Sequence, residues 1–401
     1  MSSRRSILKT MAAAAALSVC EAPFRYAFAS LPTERRLIVV ILRGALDGLA
    51  AVPPHGDADY ASVRGSLALD KSSIHDLDGF FGLHPALANL SSMYEAGELT
   101  VLQNICSPYR DRSHFDGQNV LETGGGRPHL LQDGWLNRAL RPMGLDDGAH
   151  AIAVSQTPPL ILSGLAKASS WMPTVLPPPK ADFLAKVRAL YASDAVLGAA
   201  LQSALATEAR AQAAMDDVPK GAGTGQRSGY GNLSPLFTGA GKLLADAGGP
   251  RVAVLDAGGW DTHFNEGTGE GQLARRLADL DRAFDSLKTA LGPAWSKTAV
   301  VIATEFGRTV RPNGTGGTDH GTGGAAFLLG GAVAGRVVRA EWVGLKPGVL
   351  QDGRDQPART DLRALFKAVL MEHMGVSLTA LESAVFPDSG SIAPLTNMIR
   401  A

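Results

Sequence analysis

The stretch RRLIVVILRG (residues 35–44) decides the fold class. Its apolar residues are mostly β-branched and form one uninterrupted run between two arginines and Arg43–Gly44. Such a run predicts a strand that is buried on both faces, which is typical of parallel sheets. Similar runs predict further strands at 99–105, 149–155, 159–164, 251–257, 297–305 and 325–331.

Segments with helical spacing separate these strands. Residues 272–291 form an amphipathic helical pattern, and residues 181–217 predict two successive helices. Residues 360–374 predict a closing helix, with Thr360 or Asp361 as its N-cap. This alternation predicts an α/β fold, in which helices cover both faces of one large, mainly parallel central sheet.

The mature chain is expected to form a single domain over residues 30–401. Two segments interrupt the alternating pattern within it. The helices at about 181–217 are interpreted as an insertion, and the Gly-rich stretch at about 219–232 predicts a flexible surface loop.

Composition narrows the range of partners. The chain has 401 residues, 45% of them hydrophobic, which is enough for a large core. Lys+Arg and Asp+Glu are equal at 38 each, so no basic excess indicates a nucleic-acid partner. Aromatic residues make up only 6%, which disfavours an aromatic-lined groove for sugars or nucleic acids.

The N-terminus has the pattern of an export signal. Arg4 and Arg5 precede a short apolar run, and a small-x-small site ends at Ala29, so residues 1–29 predict a twin-arginine signal peptide. A lipoprotein signal at Cys20 fits less well, because the bulky Val19 precedes the cysteine. The predicted location is periplasmic or secreted, after export in the folded state. No later segment has 18 apolar residues in a row, so no transmembrane segment is expected in the mature chain.

Acids and imidazoles follow nearly every predicted strand. In α/β sheets, ligands bind beyond the carboxyl ends of the strands, so these side chains are expected to meet. The candidate metal ligands are Asp47, Asp261, His263, Glu305, Asp319 and His320, and the candidate catalytic residues are Ser113, His114 and Arg308.

Carboxylate and imidazole ligands without thiols suit a divalent metal ion such as Zn²⁺, Mn²⁺, Mg²⁺ or Ca²⁺. Such an ion lowers the pKa of a nearby hydroxyl and neutralises charge on a phosphoryl or sulfuryl group. Ser113 precedes a predicted helix, whose N-terminus favours negative charge. Arg308, or Arg112 beside the serine, has the donors needed to clamp an anionic oxygen.

Each candidate also has a simpler structural interpretation. Asp47 stands in a Gly-flanked turn, where an aspartate commonly bonds its own backbone. Ser113 can cap its helix, the histidines can be ordinary half-buried side chains, and Arg308 can pair with Glu305. The recurrence of such residues at successive strand ends favours a shared site over these separate explanations.

Several of these segments resemble a bacterial family of uncharacterised proteins known as domain of unknown function 1501. The resemblance covers nearly all of the mature chain and is carried by RGALDGLAAVPPHGDADYASVRG (43–65), RSHFDGQNVLETG (112–124), GGWDTH (258–263) and TEFGRTVRPNGTGGTDHG (304–321). The family is similar to a remote branch of the alkaline phosphatase and sulfatase superfamily. That resemblance implies an alkaline phosphatase-like fold with a metal site at the strand ends.

The same resemblance implies roles for individual residues. Asp47 stands at the position of the first metal-binding acid, and Ser113 at the position of the nucleophile. Asp261 and His263 are similar to the next ligand pair, Glu305 to the acid after the following strand, and His320, beside Asp319, to the last histidine.

The chain departs from the superfamily pattern at two places. The acid and histidine of DTH (261–263) are two residues apart where the superfamily spaces them by four. Phe306 takes the place of a histidine ligand, so a full two-metal site is not expected, and either one ion or none fits the remaining residues. CSPYR (106–110) also fits the pattern in which sulfatases convert cysteine to formylglycine, although the spacing to the following Thr-Gly favours Ser113 as the nucleophile.

These observations predict an exported metal-dependent hydrolase that acts on a small phosphate or sulfate ester. In this hypothesis Ser113 attacks the ester, and His114 or Asp319 acts as an acid/base or supports the ligands. The alternative is a non-catalytic exported binding or assembly protein that keeps the fold with an eroded metal site. The missing imidazole at Phe306 is the residue that supports this alternative.

Overall fold

The computed structural model describes residues 33–173, 179–215 and 232–400. The predicted signal peptide (1–29) and nearly all of the predicted Gly-rich loop (219–232) lie outside these residues. Within them, nine strands pair into one sheet and two short strands form a separate ribbon. The strands are β1 (Arg36–Arg43), β2 (His75–Asp76), β3 (Gly82–Leu83), β4 (Leu99–Cys106), β5 (Asp147–Val154), β6 (Lys167–Trp171), β7 (Val252–Gly258), β8 (Thr298–Ala303), β9 (Gly324–Leu329), β10 (Val337–Ala340) and β11 (Thr360–Asp361).

The large sheet has the order β10-β4-β9-β8-β1-β7-β5-β6, with β11 also paired to β4. Every pair in it is parallel except those of β9, which runs antiparallel to both β4 and β8. The prediction of a large, mainly parallel sheet is therefore confirmed. Because β9 runs the other way, the loop that precedes it lies at the same edge as the carboxyl ends of β4, β8, β1 and β7.

Helices cover both faces of this sheet. They are α1 (Gly48–Ala51), α2 (Tyr60–Arg64), α3 (Ala88–Glu95), α4 (His114–Thr123), α5 (Trp135–Leu140), α6 (Ala181–Tyr191), α7 (Ala195–Met215), α8 (Ser234–Ala245), α9 (Gln272–Leu291), α10 (Leu362–Glu372) and α11 (Leu378–Ala380). Helices α3, α8 and α9 pack in the core on one face, and α5 and α10 pack on the other.

Alternate residues of β1 explain why both faces are apolar. Ile38 and Val40 belong to the core under α8 and α9, whereas Leu37 and Val39 belong to the core under α10. All four are at most 2% exposed. Full burial of such a side chain is worth about 1.5–3 kcal/mol relative to exposure, so the run that predicts the strand also holds the two layers together.

One predicted strand is wrong. Residues 159–164 form a short 3₁₀ turn, Leu160–Leu162, and the strand beside β5 is instead Lys167–Trp171. Two prolines, Pro158 and Pro159, precede the turn, and proline has no N–H to donate to a neighbouring strand. The apolar run is buried all the same, since Ile161 and Leu162 pack in the core.

The main helix predictions are confirmed. Helix α9 has the predicted bounds of 272–291, and Asp361 caps α10 by accepting a hydrogen bond from the N–H of Arg363. The segment predicted as two helices at 181–217 contains α6 and α7, and no residue of α6 is buried. Across the described ranges, no helix combines the length and apolar character needed to cross a membrane.

Candidate metal centre at the strand ends

Glycines let three loops approach one another at the carboxyl edge of the sheet. A Cβ on Gly317 would lie 2.3 Å from the carbonyl carbon of His263, and a Cβ on Gly321 would lie 2.5 Å from that of Arg308. Gly44, at the end of β1, has a φ of +118° and would place a Cβ 2.7 Å from the nitrogen of Asp261. Only glycine fits such contacts, which explains Gly317 and Gly321 on either side of Asp319 and His320.

The loop after β7 is anchored by Trp260. This side chain is fully buried, and its indole N–H donates a hydrogen bond of 2.8 Å to the carbonyl of Ala257. The backbone N–H of Thr318 donates to the carbonyl of Thr262 at 3.1 Å and joins this loop to the one before β9. These contacts fix the residues on either side of Thr262, namely Asp261 and His263.

Three imidazoles converge on one carboxylate oxygen. The distances from Asp261 Oδ1 are 3.0 Å to His263 Nε2, 3.3 Å to His320 Nε2 and 3.5 Å to His114 Nε2. The ligand-type atoms of His114, Asp261 and His320 all lie within 4.8 Å of one another. This group has the size and donor set of a site for a single metal ion.

Each imidazole is oriented through its other nitrogen. His114 Nδ1 lies 2.8 Å from Glu305 Oε1, and His263 Nδ1 lies 3.2 Å from Asp319 Oδ1. His320 Nδ1 lies 2.8 Å from the backbone carbonyl of Arg112. Each of these acceptors calls for a proton on Nδ1, and all three Nε2 atoms are turned toward Asp261 Oδ1. Metal-binding histidines are held in this way, by a carboxylate or a carbonyl at the far nitrogen.

The centre calls for a positive charge. His263 Nε2 and His320 Nε2 are 2.9 Å apart, and the contact of His114 Nε2 with Asp261 Oδ1 is long, at 3.5 Å. Lone pairs this close repel one another unless a proton or a cation lies between them. A cation held by His114, Asp261 and His320 would supply that charge.

Electrostatics keeps the carboxylate ionised. Burial acts to raise the pKa of Asp261, but hydrogen bonds from His114, His320 and Arg308 hold it well below its usual range. The carboxylates of Asp261 and Glu305 raise the pKa of His114 to about 9. Metal binding at neutral pH therefore has to displace a proton from His114.

Glu305 lies behind His114 and is not part of the converging group. It is fully buried, and its Oε1 accepts hydrogen bonds from the N–H of Gly44 at 2.9 Å and from Gln118 at 3.1 Å, as well as contacting His114. Burial raises its pKa, yet these bonds lower it overall. The sequence predicts Glu305 as a metal ligand, whereas in the structure Glu305 orients the candidate ligand His114.

Asp319 also supports a ligand. Its Oδ1 contacts His263 and accepts a bond of 3.1 Å from the side chain of Asn313. The hydrogen bond from Asn313 lowers the pKa of Asp319 most, and the contact with His263 lowers it further. Phe306, which replaces the expected imidazole, stacks on His114 with ring centroids 5.0 Å apart and forms a wall of the site.

Asp47 is not brought to this group. Its Oδ1 caps α1 by accepting from the N–H groups of Leu49 and Ala50, and its Oδ2 accepts from Arg64 at 2.6 Å. Burial favours the neutral form of Asp47, but the Arg64 guanidinium keeps its pKa below the usual range. Its turn-forming interpretation therefore matches the geometry, and its prediction as a metal ligand does not.

Both arginines considered as anion clamps are already engaged. Arg308 is buried and donates to Asp261 Oδ1 at 2.6 Å and to the carbonyl and hydroxyl of Thr318. Arg112 donates to Asp355 and Asp352. Arg308 therefore orients a ligand-type carboxylate instead of pointing free donors at a substrate.

Ser113 stands at the N-terminus of α4, next to the centre. Its side chain does not cap the helix, so the capping interpretation is not met. The carbonyl of Arg112, one residue earlier, binds His320, and the side chain of His114, one residue later, faces Asp261. Both neighbours of the serine in the chain are thus fixed at the site.

The sequence predicts a different role for His114 and does not single out Glu266. His114 was assigned a catalytic or supporting role, yet its Nε2 is one of the converging donors. Glu266 was not singled out, although it follows His263 by three residues and is fully buried. A buried acid so close to a ligand pair is a signal that the sequence does carry.

Comparison with known proteins gives a family match. The model of the family described as "Protein of unknown function (DUF1501)" matches residues 89–377, well over half of the chain. No curated protein is similar enough to count as a match.

Several solved structures are similar in three dimensions at low sequence identity. The C-terminal periplasmic domain of EcEptC from Escherichia coli, in complex with Zn, is 11% identical with a TM-score of 0.43, and the match covers 92% of each chain. The phosphonate monoester hydrolase of Agrobacterium radiobacter is 12% identical with a TM-score of 0.36, over 86% of this chain and 74% of that chain. The alkaline phosphatase PafA is 9% identical with a TM-score of 0.34, over 69% and 63%. Similarity at this level does not identify the reaction of the present chain.

Proposed function

The chain belongs to the family of proteins of unknown function DUF1501, and we propose that it is a metal-dependent hydrolase of phosphate or sulfate esters. The observation that carries this proposal is the convergence of three imidazole Nε2 atoms on Asp261 Oδ1, each imidazole being held from behind by an acceptor. A set of three nitrogens and one carboxylate oxygen suits Zn²⁺ best among common divalent ions.

The bound ion supplies Lewis acidity toward an anionic ester oxygen. The protein supplies the position and charge of the ligands around it. Arg308 holds Asp261, Glu305 holds His114, and the carbonyl of Arg112 holds His320. These supporting contacts set how precisely the ligand atoms are aligned around the ion. The loss of one such contact commonly lowers metal affinity or activity by about 10- to 100-fold.

Ser113 is the proposed nucleophile. It starts α4, where free backbone N–H groups and the helix dipole stabilise a developing negative charge on its oxygen. Its backbone N–H donates to the hydroxyl of Tyr109 at 3.2 Å, which fixes the turn that presents the serine. Esters of phosphate or sulfate fit this site because their non-bridging oxygens are anionic and the centre is cationic when metal is bound.

The test of the reaction uses purified protein loaded with Zn²⁺ and a panel of p-nitrophenyl phosphates and sulfates. We expect hydrolysis of at least one ester by the wild type and a loss of at least about 10³-fold in kcat for Ser113→Ala, with zinc content unchanged. Ser296→Ala, at an exposed serine, is the matched control and keeps full activity. Unchanged activity in Ser113→Ala would rule out this serine as the nucleophile.

Export is part of the proposal and rests on the sequence alone. Residues 1–29 would direct the folded protein to the periplasm or beyond by the twin-arginine route. Replacement of Arg4 and Arg5 by lysine should leave the full-length chain in the cytoplasm. Cell fractionation measures this, and a variant that is still exported would contradict the proposal.

A non-catalytic binding or assembly role is the second candidate. Arg308 already pairs with Asp261 Oδ1 at 2.6 Å, which gives that carboxylate a partner without any metal. Elemental analysis of protein purified from its native host separates the two. Stoichiometric metal supports the hydrolase, and metal-free protein supports the binding role.

A further inference from the structure

The two loops that carry the ligands each contain a buried threonine. Thr262 lies between Asp261 and His263, and Thr318 directly precedes Asp319. Both threonines are at most 3% exposed. Their hydroxyl groups must therefore find partners inside the protein.

One side chain accepts both hydroxyls. Glu266 Oε2 accepts from Thr262 Oγ1 at 3.0 Å and from Thr318 Oγ1 at 2.8 Å. The same hydroxyl of Thr318 accepts a bond of 3.1 Å from Nε of Arg308, whose guanidinium holds Asp261. A continuous chain of hydrogen bonds thus runs from Glu266 to the candidate metal centre.

Glu266 is itself held in a buried charged cluster. Its Oε1 lies 3.9 Å from Arg64, which is paired with Asp47. Burial, and then the nearby carboxylate of Asp47, raise the pKa of Glu266 to about 8. Oε1 has no hydrogen-bond partner among the described residues, whereas Oε2 accepts from both threonines.

We propose that Glu266 is a positioning residue, which fixes the two ligand-bearing loops relative to each other and so sets the geometry of the metal centre. The inference rests on the proposed metal site, because it explains how that site is held. Glu266 does not contact the metal or the substrate in this account. It acts through Thr262 and Thr318.

The loops keep their overall path without this side chain. Backbone hydrogen bonds from Thr318 to Thr262, from Asn265 to Thr315 and from Glu266 to Gly316 also join them. Replacement of the Glu266 side chain is therefore expected to alter the alignment of the ligands without unfolding the loops.

The test compares Glu266→Leu and Glu266→Gln with the wild type, by zinc affinity in competition with a chromogenic chelator and by the visible absorption of Co²⁺-substituted protein. Glu266→Leu should weaken zinc binding by about 10- to 100-fold and shift the Co²⁺ bands. Glu266→Gln should restore both to near the wild-type values, because its amide accepts at one atom and donates at the other, like a protonated acid.

Asp281→Leu is the matched control for the loss of a buried acid. Asp281 lies on α9 and accepts from the backbone of Asn89 and Leu90, away from the metal centre. This variant should lose stability and keep both the zinc affinity and the Co²⁺ spectrum. If Glu266→Leu behaves in the same way, Glu266 is only structural and the inference is wrong.

A second pair of changes guards against a variant that fails to fold. Thr262→Val and Thr318→Val keep the branched side chain and replace each hydroxyl with a methyl group, which cannot donate to Glu266. Together they should reproduce the loss of zinc affinity seen in Glu266→Leu, and unchanged affinity overturns the inference. Failure of the proposed site looks different, since the wild type itself would then bind neither Zn²⁺ nor Co²⁺.

Discussion

His263 Nε2 lies 2.9 Å from His320 Nε2, and both atoms face Asp261 Oδ1. Two imidazole nitrogens at this distance need something positive between them. Their Nδ1 atoms face other acceptors, the Asp319 carboxylate and the backbone carbonyl of Arg112. A divalent cation at this point would remove the repulsion and use the carboxylate as well.

Glu305 and Asp319, which contact the candidate ligands from behind, should contribute unequally to zinc affinity. Glu305→Gln removes the negative charge that bonds His114 Nδ1 from a fully buried position, so zinc affinity should fall by at least about 10-fold. Asp319→Asn should cost less, because Asp319 is half-exposed and water can replace its contact with His263. Isothermal titration of each variant with Zn²⁺ measures both effects.

The matched control for these changes is His150→Ala, at a histidine on β5 whose Nε2 lies 3.6 Å from Asp147 Oδ2. It should bind zinc like the wild type. Equal affinity for Glu305→Gln and His150→Ala would show that the buried glutamate does not support a metal ligand.

Asp47 should behave as a structural residue. Asp47→Asn leaves the fully buried Arg64 without its closest anion, and breaking a buried ion pair in this way costs about 3–5 kcal/mol. We expect urea unfolding to show this loss, while the number of zinc ions per chain stays the same. Asp146→Asn, at an exposed acid, should change neither quantity. A loss of zinc stoichiometry in folded Asp47→Asn would instead make Asp47 a ligand.

Stability should fall with acid through His373. Burial lowers the pKa of His373 to about 4 from its ordinary 6.5, while its Nε2 donates to the carbonyl of Arg36. The folded protein therefore keeps this side chain neutral at a pH where the unfolded chain binds a proton. Its contribution is complete above pH 6.5 and is lost as the pH falls from 6.5 toward 4, by about 3 kcal/mol in all.

His373→Gln isolates this effect, because glutamine can still donate to Arg36 but does not titrate. Urea unfolding between pH 7 and pH 4.5 should show a shallower loss of stability in this variant than in the wild type. The same pH dependence in both proteins would contradict the assignment.

Cys106 should be dispensable for activity. The residue ends β4, is 1% exposed, and burial raises the pKa of its thiol to about 11. It packs with Tyr109, Val120 and Phe306, and its Sγ lies 3.6 Å from the backbone carbonyl of Glu305. We expect Cys106→Ala to keep its kcat and the wild-type protein to show the mass of an unmodified cysteine. A mass that fits an aldehyde at position 106, with activity lost in the variant, would favour formylglycine chemistry over Ser113.

Much of the fold follows from local patterns. The run at 35–44 can be buried only in the middle of a sheet, and the period of 272–291 fits only a helix with one apolar side. The sequence of β9 does not predict its direction, because a fully buried strand has the same apolar pattern whether it pairs parallel or antiparallel. The turn at Leu160–Leu162 shows that an apolar run can also be buried without forming a strand of the sheet.

The site could be predicted in its residue types but not in its division of roles. Acids and histidines at successive strand ends indicate a shared edge, and Asp261, His263 and His320 do meet there. Whether an acid binds a metal or supports a histidine depends on partners far away in sequence. Asp47 forms an ion pair with Arg64, which lies 17 residues later in the chain. Glu305 contacts His114, which lies 191 residues earlier.

The most direct test is the zinc content of the purified protein after dialysis against metal-free buffer, compared with that of the His114→Ala/His263→Ala/His320→Ala variant. We predict one zinc ion per chain in the wild type and none in the variant, with both proteins folded. A folded wild type that retains no zinc, or a variant that retains as much as the wild type, would contradict a metal centre at these residues.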